Sequence, residues 1–111
     1  MLTNQEMLII AKKYMSFSSD KDIELKVTQG LTITKPYGNI YYYDSKKYIE
    51  TGNFQYHVPT GPFLVEKATG RVVGFGTARS FEFYIDAYEK GTLVPTLDRY
   101  WYPDTQKYSH K

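Results

Sequence analysis

The stretch FLVEKATGRVVGFG, Phe63 to Gly76, constrains the chain more than any other. Two runs rich in β-branched and aromatic residues flank Ala68 to Gly70, a natural turn, so Phe63 to Glu66 reads as an outgoing strand and Val72 to Phe75 as its return. A hairpin commits the chain to an antiparallel sheet, which must hide at least one face. With 111 residues there is room for one core of modest extent and not for two.

The sequence on either side supplies that cover. Thr3 followed by Glu6 is a capping-box pattern, and Met7, Ile10, Ala11 and Tyr14 then recur at helical spacing. This helix is expected to fade in the serine-rich run from Ser16 to Ser19. From Ile23 the period changes to two, with Ile23, Leu25 and Val27 alternating with polar residues. Gly30 interrupts this strand, Leu31 to Ile33 resumes it, and the Pro36 and Gly38 pair turns the chain into a further strand at Ile40 to Tyr43. Lys46 to Gly52 fits either a continued strand or a helical turn. VPTGP at Val58 to Pro62 reads as an ordered loop. Ser80 is a good N-cap for a second helix in which Phe81, Tyr84, Ile85 and Tyr88 share a face, with Gly91 as its C-cap.

The expected fold is therefore α+β: an antiparallel sheet of about four to five strands with the N-terminal and later helices packed on one face. Residues 1–94 form the domain. Residues 95–111 are an aromatic extension, read as a short strand followed by a loose tail.

Composition narrows the functional classes. Aromatic residues make up 17% of the chain, with twelve tyrosines, so the core must use rings with polar edges that need partners near its margin. Cysteine is absent, which excludes disulfides and thiolate metal sites and favours the cytoplasm. MLII at Met7 to Ile10 is too short for a leader or a membrane span, so a membrane role is not expected. The formal charge is only +2 and the basic residues are interspersed with acids, unlike the stripe of a nucleic-acid binder.

Catalytic and cofactor motifs are not found. GFGTAR at Gly74 to Arg79 leads from strand to helix, as a dinucleotide-binding turn would. Arg79 stands where the third glycine belongs, and no second strand-helix-strand unit follows. Gly74 and Gly76 are better read as a bend or a close approach. His57 and His110 are the only histidines, so no metal-binding or cofactor-binding residues are assigned. No nucleophile elbow accompanies any serine, and His57 is expected in a loop or at a core margin, bonded to backbone. The acid pairs Asp20 with Asp22 and Asp44 with Glu50 read as solvated charges at strand ends.

In IYYYDSKK, alternation sends Tyr41 and Tyr43 to one face and Tyr42 to the other with Ile40. Tyr42 is then expected in the core, and Tyr41 and Tyr43 on a surface near Lys46 and Lys47. Such a surface suits stacked nucleic-acid bases or, equally, a protein interface.

Taken together, YGNIYYYDSKKYIETGNF and PTGPFLVEKATGRVVGFGTARSFEFYIDAYEKG resemble the immunity protein 35 (YrhB-like) family. The shared pattern runs through Tyr41 to Tyr43, Ser45, Lys46, Tyr48, Glu50, Thr51, Gly52, Gly61, Pro62, Val65, Thr69, Gly70, Gly76 and Thr77. It spans Tyr37 to Tyr88 in unbroken order. The chain departs from it at Asn39, where a tryptophan is usual, and in the loop before Pro62. The resemblance implies a non-catalytic bacterial protein that binds and neutralises a cognate toxin of a polymorphic or contact-dependent system. A chaperone-like binder of exposed apolar segments is the alternative, followed by an enzyme using a pocket between sheet and helix with His57 and tyrosines. The expected partner-binding anchors are Tyr41, Tyr43, Lys46, Lys47, Arg79, Arg99, Tyr100 and Trp101. Oligomeric state is open.

Overall fold

The computed structural model describes residues 1–18, 22–28, 30–58 and 61–109. Ser19, Asp20, His110 and two residues of the VPTGP loop lie outside the described residues. Helix α1 spans Asn4–Ser18 and begins with the reciprocal cap the sequence promises. Thr3 N–H donates to Glu6 Oε1 at 2.9 Å and Glu6 N–H to Thr3 Oγ1 at 3.1 Å. The helix ends at Ser18, inside the serine-rich run where it is expected to fade, with Met15 buried and Phe17 packed on Trp101 in its last turn.

The hairpin is present as β5 (Phe63–Glu66) and β6 (Val72–Gly74), with Phe63 opposite Gly74 and Val65 opposite Val72. Around it are β2 (Ile33–Lys35), β3 (Gly38–Tyr41), β7 (Tyr100–Tyr102) and β8 (Lys107–Ser109), giving a six-stranded antiparallel sheet in the order β2-β3-β5-β6-β7-β8. A second, two-stranded sheet pairs β1 (Leu25–Val27) with β4 (Tyr43–Ser45). The strand count exceeds the expected four to five because the last residues form a hairpin of their own. The segment read as a loose tail supplies β8, and β7 bonds directly to β6.

The fold is α+β, but its helices do not share a face. Met7, Ala11, Tyr14 and Met15 of α1 bury Tyr41, Phe63, Val65, Val72 and Trp101. Helix α3 (Phe81–Lys90) covers the opposite side, where Tyr84 and Ile85 meet Ile40, Leu64, Val73 and Phe75. Neighbouring residues of β5 thus enter different cores: Phe63 and Val65 lie toward α1, and Leu64 toward α3. Unbroken apolar runs such as FLV and VV are what a strand covered on both faces requires.

Between Tyr41 and Tyr43 the chain leaves the large sheet for the small one, and Tyr42 C=O accepts from Thr28 N–H at 2.8 Å. Gly38 makes the close approach of β3 to β5 possible, since a Cβ there would lie 2.1 Å from Val65 C=O.

Candidate partner-binding surface

The motif DSKKYIETGNFQYH folds into a clasp built almost wholly from its own polar groups. Ser45 caps α2 (Lys46–Thr51), its Oγ accepting from Tyr48 N–H at 3.0 Å and donating to Tyr56 C=O at 2.5 Å. Gly52 ends the helix in the left-handed conformation, and Asn53 starts a 3-10 turn over Phe54–Tyr56. Asp44 holds the far end. Its Oδ1 accepts from Ser45 N–H and Val58 N–H, each at 2.8 Å, and its Oδ2 meets His57 Nδ1 at 2.5 Å.

Two expectations are corrected here. Asp44 is buried rather than solvated, because three donors converge on it. His57 bonds through its ring to this carboxylate rather than to backbone, stacks on Phe54 and meets Tyr48 at a tilt. Outside the clasp, Lys46 pairs with Glu24 at 3.2 Å, a bond that holds its ammonium pKa above the ordinary lysine value. Lys47 lies over the Tyr56 ring at 5.3 Å. Both lysines line a cavity of about 510 Å³ with Ile23, Glu50, Tyr56 and His57.

The second group of expected anchors meets at the start of α3. Ser80 Oγ caps the helix by accepting from Phe83 N–H at 3.2 Å. Arg79 then lies 5.1 Å over the Phe83 ring, Phe83 meets Tyr84 edge-on at 5.6 Å, and Arg99 stacks 5.6 Å over Tyr84. Arg99 is fixed by two carbonyls, donating from Nη1 to Gly74 C=O at 2.8 Å and from Nε to Val94 C=O at 3.2 Å. Gly76 leaves room for the Tyr84 hydroxyl, which would lie 2.7 Å from a Cβ at that position. This accounts for one glycine of GFGTAR by packing. Large apolar side chains stand open along this edge: Phe83 is 48% exposed, Val94 67% and Leu97 74%. Phe83, Val94 and Leu97 carry no motif, which is why reading the sequence for motifs passed over them.

The remaining anchors lie elsewhere. Tyr41 and Trp101 are buried, Trp101 completely, between Tyr14 and Phe17. Burial pushes the Tyr41 hydroxyl pKa up. Tyr43 is half-buried with its ring on Phe63 at 5.3 Å, so it is a margin of the core. Alternation does hold, with Tyr41 and Tyr43 on one side and Tyr42 on Phe81 at the other, but α1 covers the side expected to be free. Tyr42 is half-buried rather than a central core ring. Tyr100 lies 4.4 Å beneath the Arg71 guanidinium, which binds both Glu66 oxygens, at 2.6 and 2.9 Å. Glu66 also accepts from the Tyr88 hydroxyl, whose pKa is raised by burial first and by that bond second.

The expected anchors therefore separate into a lysine corner, an arginine edge and a set of core rings. Among the described residues, no group of three or more His, Asp and Glu side chains is placed to hold a metal ion, and no helix is long and apolar enough to cross a membrane. No family model, curated protein or solved structure matches the chain.

Proposed function

We propose that this chain is a non-catalytic immunity protein that binds a cognate bacterial toxin in the cytoplasm of the producing cell and blocks it by covering part of its surface. The family resemblance motivates the reading. The observation that carries it to particular residues is the arginine edge, where two guanidinium groups are held on aromatic faces beside exposed Phe83, Val94 and Leu97. Arginine and aromatic anchors set among apolar neighbours are the usual centre of a tight interface, and an anchor held in place before binding loses less freedom on docking. The motif SKKYIETG, by contrast, spends Ser45, Thr51 and Gly52 on caps and turns, which suits a shared scaffold better than partner choice. Lys46 and Lys47 then belong to a secondary contact.

The test is coexpression of this chain with the toxin encoded beside its gene. Restored growth is expected from the native sequence, with loss of protection when Arg79 and Phe83 are both changed to Ala in a chain that remains folded and abundant. Continued killing despite stable native protein would overturn the reading.

One observation favours a second reading. A histidine held by a buried aspartate beside a cavity is an arrangement used for proton transfer. If a turnover is found for this chain, that reading expects His57→Gln to abolish it; unchanged turnover would dismiss it.

A further inference from the structure

Asp44 and His57 form a pair whose free nitrogen opens onto a cavity. Asp44 is buried and its Oδ1 already accepts from two backbone N–H groups, so Oδ2 of the carboxylate takes a donor as well. The 2.5 Å contact therefore assigns the proton of the neutral His57 ring to Nδ1 and the lone pair to Nε2. Nε2 has no partner among the described residues. Phe54 stacks on the ring at 5.1 Å and Tyr48 meets it at a tilt at 5.0 Å, and with Asp44 they fix its orientation.

His57 lines the cavity of about 510 Å³ and Asp44 does not, so the ring turns its Nδ1 side inward and its Nε2 edge to the opening. The side chain is 34% exposed, enough for a small molecule to reach it. A positioned imidazole lone pair backed by a carboxylate is a nucleophile as well as a base, because the charge that forms on the ring is met by the carboxylate. The wall then selects the electrophile. Lys46 is paired with Glu24, which leaves Asp22 and Glu50 against Lys47, a balance that disfavours an anionic substrate. Ile23, Tyr56 and the exposed ring of Phe54 offer apolar surface instead. Imidazole displaces good leaving groups far more readily than poor ones, which favours an activated acyl group over an amide.

We propose that His57 is a nucleophile toward uncharged activated esters, of the aryl-ester or thioester class. Nε2 attacks the acyl carbon, the bond from that carbon to the ester oxygen or sulfur breaks, and the leaving group departs with the electron pair. The acyl-imidazolium keeps its Nδ1 proton against Asp44. Water then adds to the acyl carbon and the bond to Nε2 breaks, releasing the carboxylic acid and one proton as the neutral ring returns. This role rests on the second reading of the pair, not on toxin binding.

The full chain mixed with p-nitrophenyl acetate at neutral pH provides the test. Release of p-nitrophenolate should saturate with ester and be lost in His57→Gln. Diethyl pyrocarbonate, whose product on imidazole survives peptide mass analysis, should label His57. Asp44→Asn keeps an acceptor for the Ser45 and Val58 N–H groups but turns a donor toward Nδ1, which moves the ring proton to Nε2. Both reactions should then slow by roughly a hundredfold, the scale of one positioned acid–base group. Imidazole ¹⁵N shifts of the native chain test the tautomer without any substitution, and a proton on Nε2 of the neutral ring would overturn the proposal. So would release that never saturates, a rate unchanged by His57→Gln, or labelling confined to lysines. Ester release lost in His57→Gln with no label on native His57 would overturn nucleophilic attack while leaving the proton-transfer reading in place.

Discussion

A carboxylate in the middle of a strand can be buried only if its oxygens are met by donors, and Asp44 meets three. Replacing Asp44 with Ala strands the backbone N–H groups of Ser45 and Val58 and releases His57, so a loss of about 2–3 kcal/mol is expected, measured by urea unfolding. His57→Ala, at the exposed end of the pair, should cost less. A sharper contrast lies among the expected anchors themselves. Trp101→Ala empties the centre of the α1 core and should cost about 3–5 kcal/mol, whereas Arg79→Ala should leave stability within about 0.5 kcal/mol. Equal effects would contradict the division between core rings and surface arginines.

Among the elements, the hairpin, the capping box of α1 and the caps of α3 were legible because each rests on local chemistry: a glycine turn, Thr3 with Glu6, Ser80 and Gly91. What was missed depends on distant pieces of chain. Whether Tyr41 is buried depends on which face α1 takes, and strand alternation gives the side of a residue without saying what covers that side. The runs FLV and VV carried a clue, since they do not alternate as a strand with one wet face should. The Asp44–His57 bond joins residues thirteen apart across a helix and a 3-10 turn, and no spacing rule anticipates it. Trp101 was misplaced for a related reason, because the tail was read apart from the sheet it completes. Removing residues 99–111 should therefore expose the β6 edge and the α1 core together. The expected outcome is loss of cooperative unfolding and rapid hydrogen exchange at Val72 and Val73; a stable truncated domain would show the extension to be dispensable.

At the scale of the whole molecule, twelve tyrosines make stability sensitive to alkali. The pKa values of Tyr14, Tyr37, Tyr41, Tyr42 and Tyr88 are all raised, with burial the largest cause in each case. When the folded pKa lies above the unfolded value, the unfolded chain loses its proton first as pH rises. The stabilisation from these groups is then complete below the unfolded value near 10 and is lost as pH climbs toward the folded values. The urea midpoint should hold steady through neutral pH as far as these tyrosines are concerned and fall from about pH 10 upward, less steeply in Tyr88→Phe.

The central claim concerns the arginine edge, and on the toxin-binding proposal the affinity of the purified chain for a candidate toxin domain from a neighbouring gene tests it most directly. Native protein should bind tightly, and Phe83→Ala or Arg79→Ala should each weaken binding by about thirtyfold or more, the scale of an interface hot spot of roughly 2 kcal/mol. Lys47→Ala should change it little. Affinity unchanged by both edge substitutions, or no measurable binding by the native chain, would contradict the account.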